Sequence, residues 1–309
     1  MSVSSVPPSG DPALDRRLDW ARAYLTDGEA EAAAGMLADL VAEAPHFLAA
    51  WFLLGEARET AGDRAGAIAA YEGALARDDA DVLGAGLRLA RLGARAPEGA
   101  MSAAFVRTLF DQYAPRFDTA LRARLAYRGP EVLEAALRRA CADAGIPPRF
   151  PTMVDLGCGT GLAAPLFAPL GDVLVGVDLS PAMIEKARGL GLYAELEAGE
   201  MVAFLDARPA AGADLVLAAD ALCYLGDLGP VFGAAARALG PAGWLAFTLE
   251  THDGTGMILR DTLRYAHARA YVETALTVAG FSPVLLEAVS TRTEKGAPVP
   301  GLVCVARLA

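Results

Sequence analysis

The chain has 309 residues, of which 54% are hydrophobic, and its formal net charge is −11. This length fits one large domain and a smaller one. The large segments are not basic enough to bind a phosphate backbone, and no unbroken apolar stretch reaches the ~20 residues of a membrane span. The cysteines show no metal-site spacing, and residues 1–10 lack signal-peptide features. We therefore expect a cytoplasmic protein with no nucleic-acid or membrane partner.

The N-terminal part of the sequence is repetitive. Residues 1–10 are rich in Ser, Pro and Gly, which predicts disorder, and residues 11–95 are alanine-rich and helical. Gly62 follows Gly28 by 34 positions, and we expect each glycine to form the turn inside a helical hairpin. The second copy follows the spacing W-x2-L-G…A-x3-F/Y at Trp51, Leu54, Gly55, Ala67, Tyr71 and Ala74.

This spacing resembles that of tetratricopeptide (TPR) repeats, whose stacked hairpins bind peptides or proteins. A helix over residues 82–92 has the features of a third copy that is not completed. The resemblance implies that the repeats recruit a protein partner or a substrate. A plain helical bundle remains the alternative interpretation.

A linker is predicted at residues 96–104, and a helical segment at 105–150 leads into the next domain. Within it, Phe110, Tyr113 and Phe117 have the spacing of one helix face. This face either packs on a sheet or covers a ligand.

A glycine-rich turn opens the C-terminal part, residues 151–309. The sequence VDLGCGTG occupies residues 154–161, between a short apolar strand and an apolar helical segment. Strand, tight loop and helix in this order begin an α/β sheet, whose ligands bind beyond the carboxyl ends of the strands. Such a loop alone is a weak signal. Asp155 sharpens it because its carboxylate would attract an ammonium group, and Asp178, which ends the second strand, suits the hydroxyls of a ribose.

The motif and its two acids resemble the class I (Rossmann-like) S-adenosylmethionine-dependent methyltransferases. With the repeats, the chain resembles a bacterial group of methyltransferases that carry TPR repeats. The resemblance implies that the cofactor is S-adenosyl-L-methionine and that a methyl group passes to a small-molecule or protein acceptor. It also implies that Tyr113 belongs to a lid over the cofactor and that Glu200 binds adenine. The residues expected to bind the cofactor are Tyr113, Asp155, Gly157, Cys158, Gly159, Asp178, Leu179, Glu200, Met201 and Asp220.

The remaining strands complete the predicted fold. Three further strands are predicted at 192–196, 213–219 and 243–249, and a β-hairpin at 281–289 and 302–308 closes the sheet. The prediction is an α/β fold with a Rossmann-like seven-stranded sheet covered by helices on both faces, preceded by an all-α TPR-like domain. By the resemblance, the end of the fourth strand faces the reactive methyl group.

Two histidines are candidate general bases. His252 follows the fifth strand, and a helix predicted from Arg260 to Ala279 places Arg264, His267 and Tyr271 on one face. This face either contacts the acceptor or is solvated. The hairpin residue Arg292 either binds an anionic substrate or keeps an edge strand soluble. The residues expected to contact substrate are Arg264, Tyr271, Tyr224 and Arg292.

Two other functions remain open. The protein could be a non-catalytic cofactor-binding and TPR scaffold, but Asp155, Asp178 and the three loop glycines are all retained. It could also be an NAD-dependent oxidoreductase, but Asp155 and the closing hairpin disfavour that function.

Overall fold

The computed structural model describes residues 8–118 and 126–309, which form two compact units divided between Thr108 and Leu109. Within the described residues, no helix has the length and apolar character needed to cross a membrane. The two units are built from different elements and are described separately.

The first unit is helical. Its helices are α1 (Pro12–Thr26), α2 (Ala30–Glu43), α3 (Leu48–Thr60), α4 (Arg64–Leu75) and α5 (Ala85–Arg91). Consecutive helices pack on each other. Gly28 and Gly62 turn inside the two hairpins with φ of +87° and +80°, a conformation that favours glycine. Leu37 and Tyr71, also 34 positions apart, are both fully buried. The helical hairpins predicted from the repeat are therefore present.

The segment predicted as a linker packs against this helical unit. The Ser102 hydroxyl donates to the carbonyl of Asp81 at 2.9 Å and accepts from the N–H of Phe105 at 2.9 Å. Phe105 is buried, and its ring occupies the space where a Cβ at Gly84 would lie. Residues 96–104 are therefore held by specific contacts within the first unit.

The second unit is an α/β sheet covered by helices. Its helices are α6 (Ala103–Tyr113), which crosses the boundary, α7 (Gly129–Asp143), α8 (Ala164–Phe167), α9 (Pro181–Arg188), α10 (Met201–Asp206), α11 (Gly229–Ala238) and α12 (Arg269–Val278). Its strands are β1 (Thr152–Leu156), β2 (Val173–Asp178), β3 (Glu195–Ala198), β4 (Ala213–Ala218), β5 (Leu239–His252), β6 (Met257–Leu259), β7 (Tyr265–Ala268), β8 (Phe281–Val289), β9 (Thr293–Glu294), β10 (Ala297–Pro298) and β11 (Gly301–Leu308).

The main path of the sheet has seven strands in the order β3-β2-β1-β4-β5-β11-β8. Strands β1 to β5 are parallel, and β11 is antiparallel to both β5 and β8. This arrangement confirms the predicted Rossmann-like fold with its closing hairpin. The structure adds β7, which pairs in parallel with the end of β5, and β6, which pairs with β7.

The sheet separates two apolar layers. On one face Val154 and Val216 pack with Phe232 of α11, and on the other Met153 packs with Leu137 of α7. Adjacent strand residues point to opposite faces, so a strand buried on both sides reads as a continuous apolar run. The core therefore holds the carboxyl ends of β1, β2, β4 and β5 rigidly along one edge.

The helix predicted from Arg260 to Ala279 is wrong in its first half. Tyr265–Ala268 is strand β7, and α12 begins only at Arg269. All four residues of β7 are buried, and their backbone groups pair with β5 and β6. Sheet pairing therefore overrides a helical spacing of polar residues that extended over only two turns. The polar helix face predicted from that spacing does not exist.

Candidate functional site

The glycine loop lies directly against the turn that follows β4. Gly157, Gly159 and Gly161 have φ of +64°, +55° and +85°. A Cβ at Gly157 would lie 2.5 Å from the Cβ of Ala221, so the two loops are in van der Waals contact. Among residues 8–118 and 126–309, a Cβ at Gly159 would meet only Phe117, at 3.8 Å. The backbone at Gly159 is therefore open to close approach by a ligand.

Asp178, at the end of β2, holds the glycine loop. Its carboxylate accepts hydrogen bonds from the N–H of Gly159 at 2.9 Å and from the N–H of Ser180 at 2.8 Å. Burial raises the pKa of this carboxyl above its usual range. Carboxylate oxygens have further lone pairs, so Asp178 can still accept from ligand hydroxyls. Leu179 follows it and is half-buried.

Asp155 is a buried carboxyl in β1, with 1% of its surface exposed. The Tyr193 hydroxyl donates to it at 2.6 Å. Burial raises its pKa to about 7. Among residues 8–118 and 126–309, the side-chain groups that shift the pKa of this carboxyl are Tyr193 and Asp178, and no cation is among them. A cationic ligand group would therefore stabilise its ionised form. Tyr193 was missed because it lies 38 positions away and shares no local motif with Asp155.

An aromatic cluster from α6 and the segment that follows it lies beside the glycine loop. Phe117 makes edge-to-face contacts with Phe110 and Tyr113, with ring centroids 6.0 and 5.7 Å apart. The Phe110 ring also contacts Tyr224, at 5.3 Å. The cluster therefore connects the glycine loop to the turn after β4, as a cover over a ligand would.

Two acids fix this segment in place. The Ser180 hydroxyl donates to Asp111 at 2.5 Å, and the Thr160 hydroxyl donates to Asp118 at 2.6 Å. Thr160 belongs to the glycine loop, and Ser180 follows β2. The sequence analysis missed Asp111 and Asp118, although both lie in the aromatic stretch that it singled out.

Three other predicted cofactor residues have defined surroundings. Glu200 caps the N-terminus of α10, where its Oε2 accepts from the N–H groups of Val202 and Ala203, each at 2.9 Å. Met201 is the first residue of this helix and is half-buried. Cys158 is buried, which raises the pKa of its thiol well above its usual value. It is therefore a packing residue of the glycine loop and carries no charge.

Asp220 follows β4 in a strained conformation, with φ of +55°. Its N–H donates to the Thr248 hydroxyl, which donates in turn to Asp220 Oδ1, both at 2.8 Å. Its Oδ2 is buried and has no hydrogen-bond partner within the described part of the chain. The nearby Cys223 thiol donates to the Asp220 carbonyl, and burial raises its pKa to about 12. Asp220 thus presents a free acceptor, while Cys223 is a protonated packing residue.

His267 is fully buried and does not share a helix face with Arg264. Its Nε2 lies 3.1 Å from the carbonyl of Gly226, and burial lowers its pKa to about 4. Its ring stacks on Tyr271, whose hydroxyl accepts from the N–H of Leu228 at 3.0 Å. His267 and Tyr271 therefore hold residues 226–228. The prediction that His267 is a base depended on a helix face that the structure does not contain.

His252, the other candidate base, is the last residue of β5 and begins the turn that follows it. Its Nδ1 accepts from the N–H of Gly254 at 3.0 Å, and its Nε2 is 3.4 Å from the carbonyl of Gly256. Both ring nitrogens thus face the backbone of this turn, in which the side chain is partly exposed.

An arginine cluster surrounds Glu250 near the end of β5. Glu250 is 3% exposed and pairs with Arg292, with Arg260 at 3.3 Å and with Arg264 at 3.8 Å. Glu294 pairs with Arg264 at 2.8 Å. The sequence analysis identified Arg264 and Arg292 as candidate substrate residues. It missed Glu250 as their common partner, because these residues come from different strands and loops.

A groove of about 490 Å³ opens beside this arginine cluster. Its walls are residues 259–262 and 297–300, together with Glu250 and Glu294. Three of its lining residues are acidic and one, Arg260, is basic. It is distinct from the glycine loop, since its lining includes none of the predicted cofactor residues.

Comparisons with known proteins agree with this geometry. Residues 154–247 match the family model described as a methyltransferase domain. The human methyltransferase-like protein 27 is 39% identical over 114 residues, which are 37% of this chain and 45% of that protein. A TPR repeat-containing protein of Pseudomonas aeruginosa is 47% identical over 60 residues, which are 19% of this chain and 57% of that protein. The chain thus spans about half the length of the curated relatives it matches.

One solved structure supports the fold. The crystal structure of the [4+2]-cyclase SpnF aligns with a TM-score of 0.53 and 16% identity, and it covers 65% of this chain and 95% of that one. At this identity the likeness concerns the fold alone. The residues that match the methyltransferase-domain model, 154–247, lie in the α/β unit described above.

Proposed function

We propose that the α/β unit binds S-adenosylmethionine and transfers its methyl group to an acceptor. The observation that carries this proposal is Asp155, a buried carboxyl with no cation among its described partners, beside the open backbone of Gly159. An ammonium group would satisfy that carboxyl, and a ribose would satisfy Asp178. A dinucleotide would instead bring a pyrophosphate towards two carboxylates, which repel it.

The residues present fit this cofactor. Asp155 would hold the ammonium, Asp178 and Leu179 the ribose, and Glu200 and Met201 the adenine. Gly157, Cys158 and Gly159 supply backbone that a ligand can approach closely. Tyr113 and its two aromatic neighbours would cover the cofactor. When bound, the cofactor supplies a methyl group on a sulfonium, which is a good leaving group.

The chain's own residues would then position the reactants and exclude water. The rings of Phe110, Tyr113 and Phe117 form an apolar cover, which is the property that water exclusion requires. Alignment of the reacting groups supplies much of the rate. Asp220 Oδ2 has no hydrogen-bond partner among the described residues and can accept a hydrogen bond from the nucleophile of the methyl acceptor. His267 is neutral at physiological pH and buried, so it suits a structural role.

The helical unit would recruit the acceptor, a small molecule or a protein, or a partner protein. Two features support this part of the proposal. Gly28 and Gly62 mark hairpins that repeat every 34 residues, and part of the chain is similar to a TPR repeat-containing protein. Hairpin repeats of this kind present extended binding surfaces.

Titration calorimetry on the full chain tests cofactor binding. We expect micromolar affinity for S-adenosylmethionine and S-adenosylhomocysteine and no binding of NADH. Binding of NADH without binding of either methyl-donor compound would overturn the proposal. A protein with this fold is called a [4+2]-cyclase, so the fold and cofactor binding do not by themselves establish methyl transfer. Methyl transfer is therefore measured separately. Cell extract incubated with methyl-labelled donor should yield a labelled product only when the protein is added.

A further inference from the structure

The arginine cluster carries more positive than negative charge. Three guanidinium groups, those of Arg260, Arg264 and Arg292, form ion pairs with two carboxylates, Glu250 and Glu294. The side chain of Arg292 is only 5% exposed. Burial of a charge is costly unless the charge is paired. One positive charge of this cluster therefore lacks a partner within it.

A buried donor accompanies the unpaired charge. Arg292 Nε lies 3.6 Å from Glu294, too far for a hydrogen bond, and it has no other partner within residues 8–118 and 126–309. A guanidinium has five N–H donors and no acceptor, so only an acceptor group satisfies it. Asp220 is not that acceptor within the described residues, because its Oδ1 bonds to Thr248 and its Oδ2 has no hydrogen-bond partner there.

The cluster lies next to the part of the site that faces the acceptor. Arg264 Nε donates to the Tyr224 hydroxyl at 3.2 Å, and Tyr224 belongs to the turn after β4. That turn touches the glycine loop through Ala221 and Gly157. Arg264 therefore contacts, through the Tyr224 hydroxyl, a turn that borders the glycine loop.

We propose that the methyl acceptor carries an anionic group, a carboxylate or a phosphate, which Arg264 and Arg292 bind beside the turn after β4. This inference rests on the methyltransferase function proposed above. The planar guanidinium matches the two oxygens of a carboxylate or phosphate with parallel hydrogen bonds. The alternative is a purely structural role, in which these arginines hold the loops around β5 together and bind no ligand.

Anion binding separates these two roles. The full chain, saturated with S-adenosylhomocysteine, is titrated at constant ionic strength with acetate, malonate and inorganic phosphate, and with malonamide as the neutral analogue of malonate. We expect at least one anion to bind and malonamide not to bind. Comparison of the carboxylates with phosphate identifies which group the site prefers. If none of the three anions binds at millimolar concentration, the inference is overturned.

Matched variants locate the binding. Arg264→Gln should weaken anion binding about tenfold, because it removes a charge-assisted hydrogen bond. Arg139→Gln is the control, since Arg139 pairs with Glu287 on the surface and both side chains are about half exposed. If Arg264→Gln does not fold, Tyr224→Phe keeps the charge but removes the hydroxyl that positions it, and should also weaken binding. Equal anion affinity in the tested variant and in Arg139→Gln would contradict the proposal.

Product analysis gives an independent result. Metabolite extract is separated by anion exchange, and each fraction is incubated with labelled donor and the protein. Label is expected in the retained, anionic fraction, and label confined to the unretained fraction would overturn the inference. Binding of S-adenosylhomocysteine is measured first. Its absence would count against the proposed function, whereas its presence without anion binding would count against this inference alone.

Discussion

The two sides of the candidate site have opposite charge. The glycine-loop side presents Asp155, which is buried, and Asp178, which is half-buried, and desolvation raises the pKa of both carboxyl groups. The β5 side presents three arginines, Arg260, Arg264 and Arg292, which pair with only two carboxylates, Glu250 and Glu294. One side therefore lacks a cation and the other lacks an anion. A cationic methyl donor and an anionic acceptor would complete both, and each side would repel the other's ligand.

The largest expected effect comes from removing the charge of Asp155 or Asp178, which tests whether the donor binds on the glycine-loop side. Asp155→Asn and Asp178→Asn should each weaken S-adenosylmethionine binding about ten- to a hundredfold, since a hydrogen bond to a charged group is worth about 1.5–3 kcal/mol. Arg264→Gln should leave donor affinity nearly unchanged. Asp172→Asn is a suitable control, because Asp172 is an exposed partner of Arg149. The comparison fails if Arg264→Gln weakens donor binding as much as the aspartate variants do.

The pH dependence of donor binding should report Asp155. Its pKa of about 7 means that only about one-tenth of the carboxyl is ionised at pH 6 and half at pH 7. An ammonium binds the ionised form, so donor affinity should rise about fivefold between these pH values. Calorimetry at both values measures the rise. Asp155→Asn should bind weakly at both, and a variant that keeps the full pH dependence would assign the titration to another group.

The glycine-loop side was predictable from sequence because it is encoded locally. VDLGCGTG specifies strand, turn and helix within eight residues, and Asp178 ends the next strand. The alternation of strands and helices then determined a parallel sheet, and the final hairpin determined its antiparallel edge. These features depend on backbone geometry, which short patterns describe well.

The β5 side was not predictable, because its contacts come from distant parts of the chain. Glu250 and Arg292 are 42 positions apart, and neither belongs to a motif. The polar spacing of Arg264, His267 and Tyr271 fitted a helix, but residues 265–268 find their hydrogen bonds in the sheet. Single-sequence patterns carry no information about which strand a short segment will join. Arg264 and Arg292 stay candidate substrate residues, while the helix predicted to begin at Arg260 was wrong in its first half.

A pair of glycine substitutions sharpens the assignment of the donor loop. Gly159 and Gly191 have φ of +55° and +65°, and no neighbouring atom of the described residues lies within 4 Å of the position of a Cβ at Gly191. Alanine at either position should cost about 1–2 kcal/mol of stability through its left-handed conformation. Only Gly159→Ala should also reduce donor affinity, because its methyl group would occupy the ligand's space. Thermal denaturation and calorimetry measure the two effects, and equal donor affinity in both variants would place the ligand elsewhere.

The smallest expected effect is on the pH dependence of the free energy of unfolding, to which Asp155 and His267 contribute in the protein without ligand. Burial raises the pKa of Asp155 to about 7 and lowers that of His267 to about 4. Asp155 therefore contributes to the free energy of unfolding at low pH, where its carboxyl is protonated, and this contribution is lost as pH rises towards 7. The contribution of His267 is present above pH ~6.5 and is lost as pH falls towards 4. Between pH 5 and 6.5 the two groups therefore act in opposite directions.

Urea denaturation of two variants separates these contributions. Relative to the unsubstituted chain, the free energy of unfolding of Asp155→Asn should rise with pH across that window, and that of His267→Gln should fall. Other titrating groups cancel in each difference, so the signs of the two slopes are the measurement. Slopes of the same sign would mean that one of the two side chains is solvated in the folded protein. If the difference in the free energy of unfolding between Asp155→Asn and the unsubstituted chain does not change with pH, Asp155 has no raised pKa. The proposed binding of the donor's ammonium group would then lose its main support.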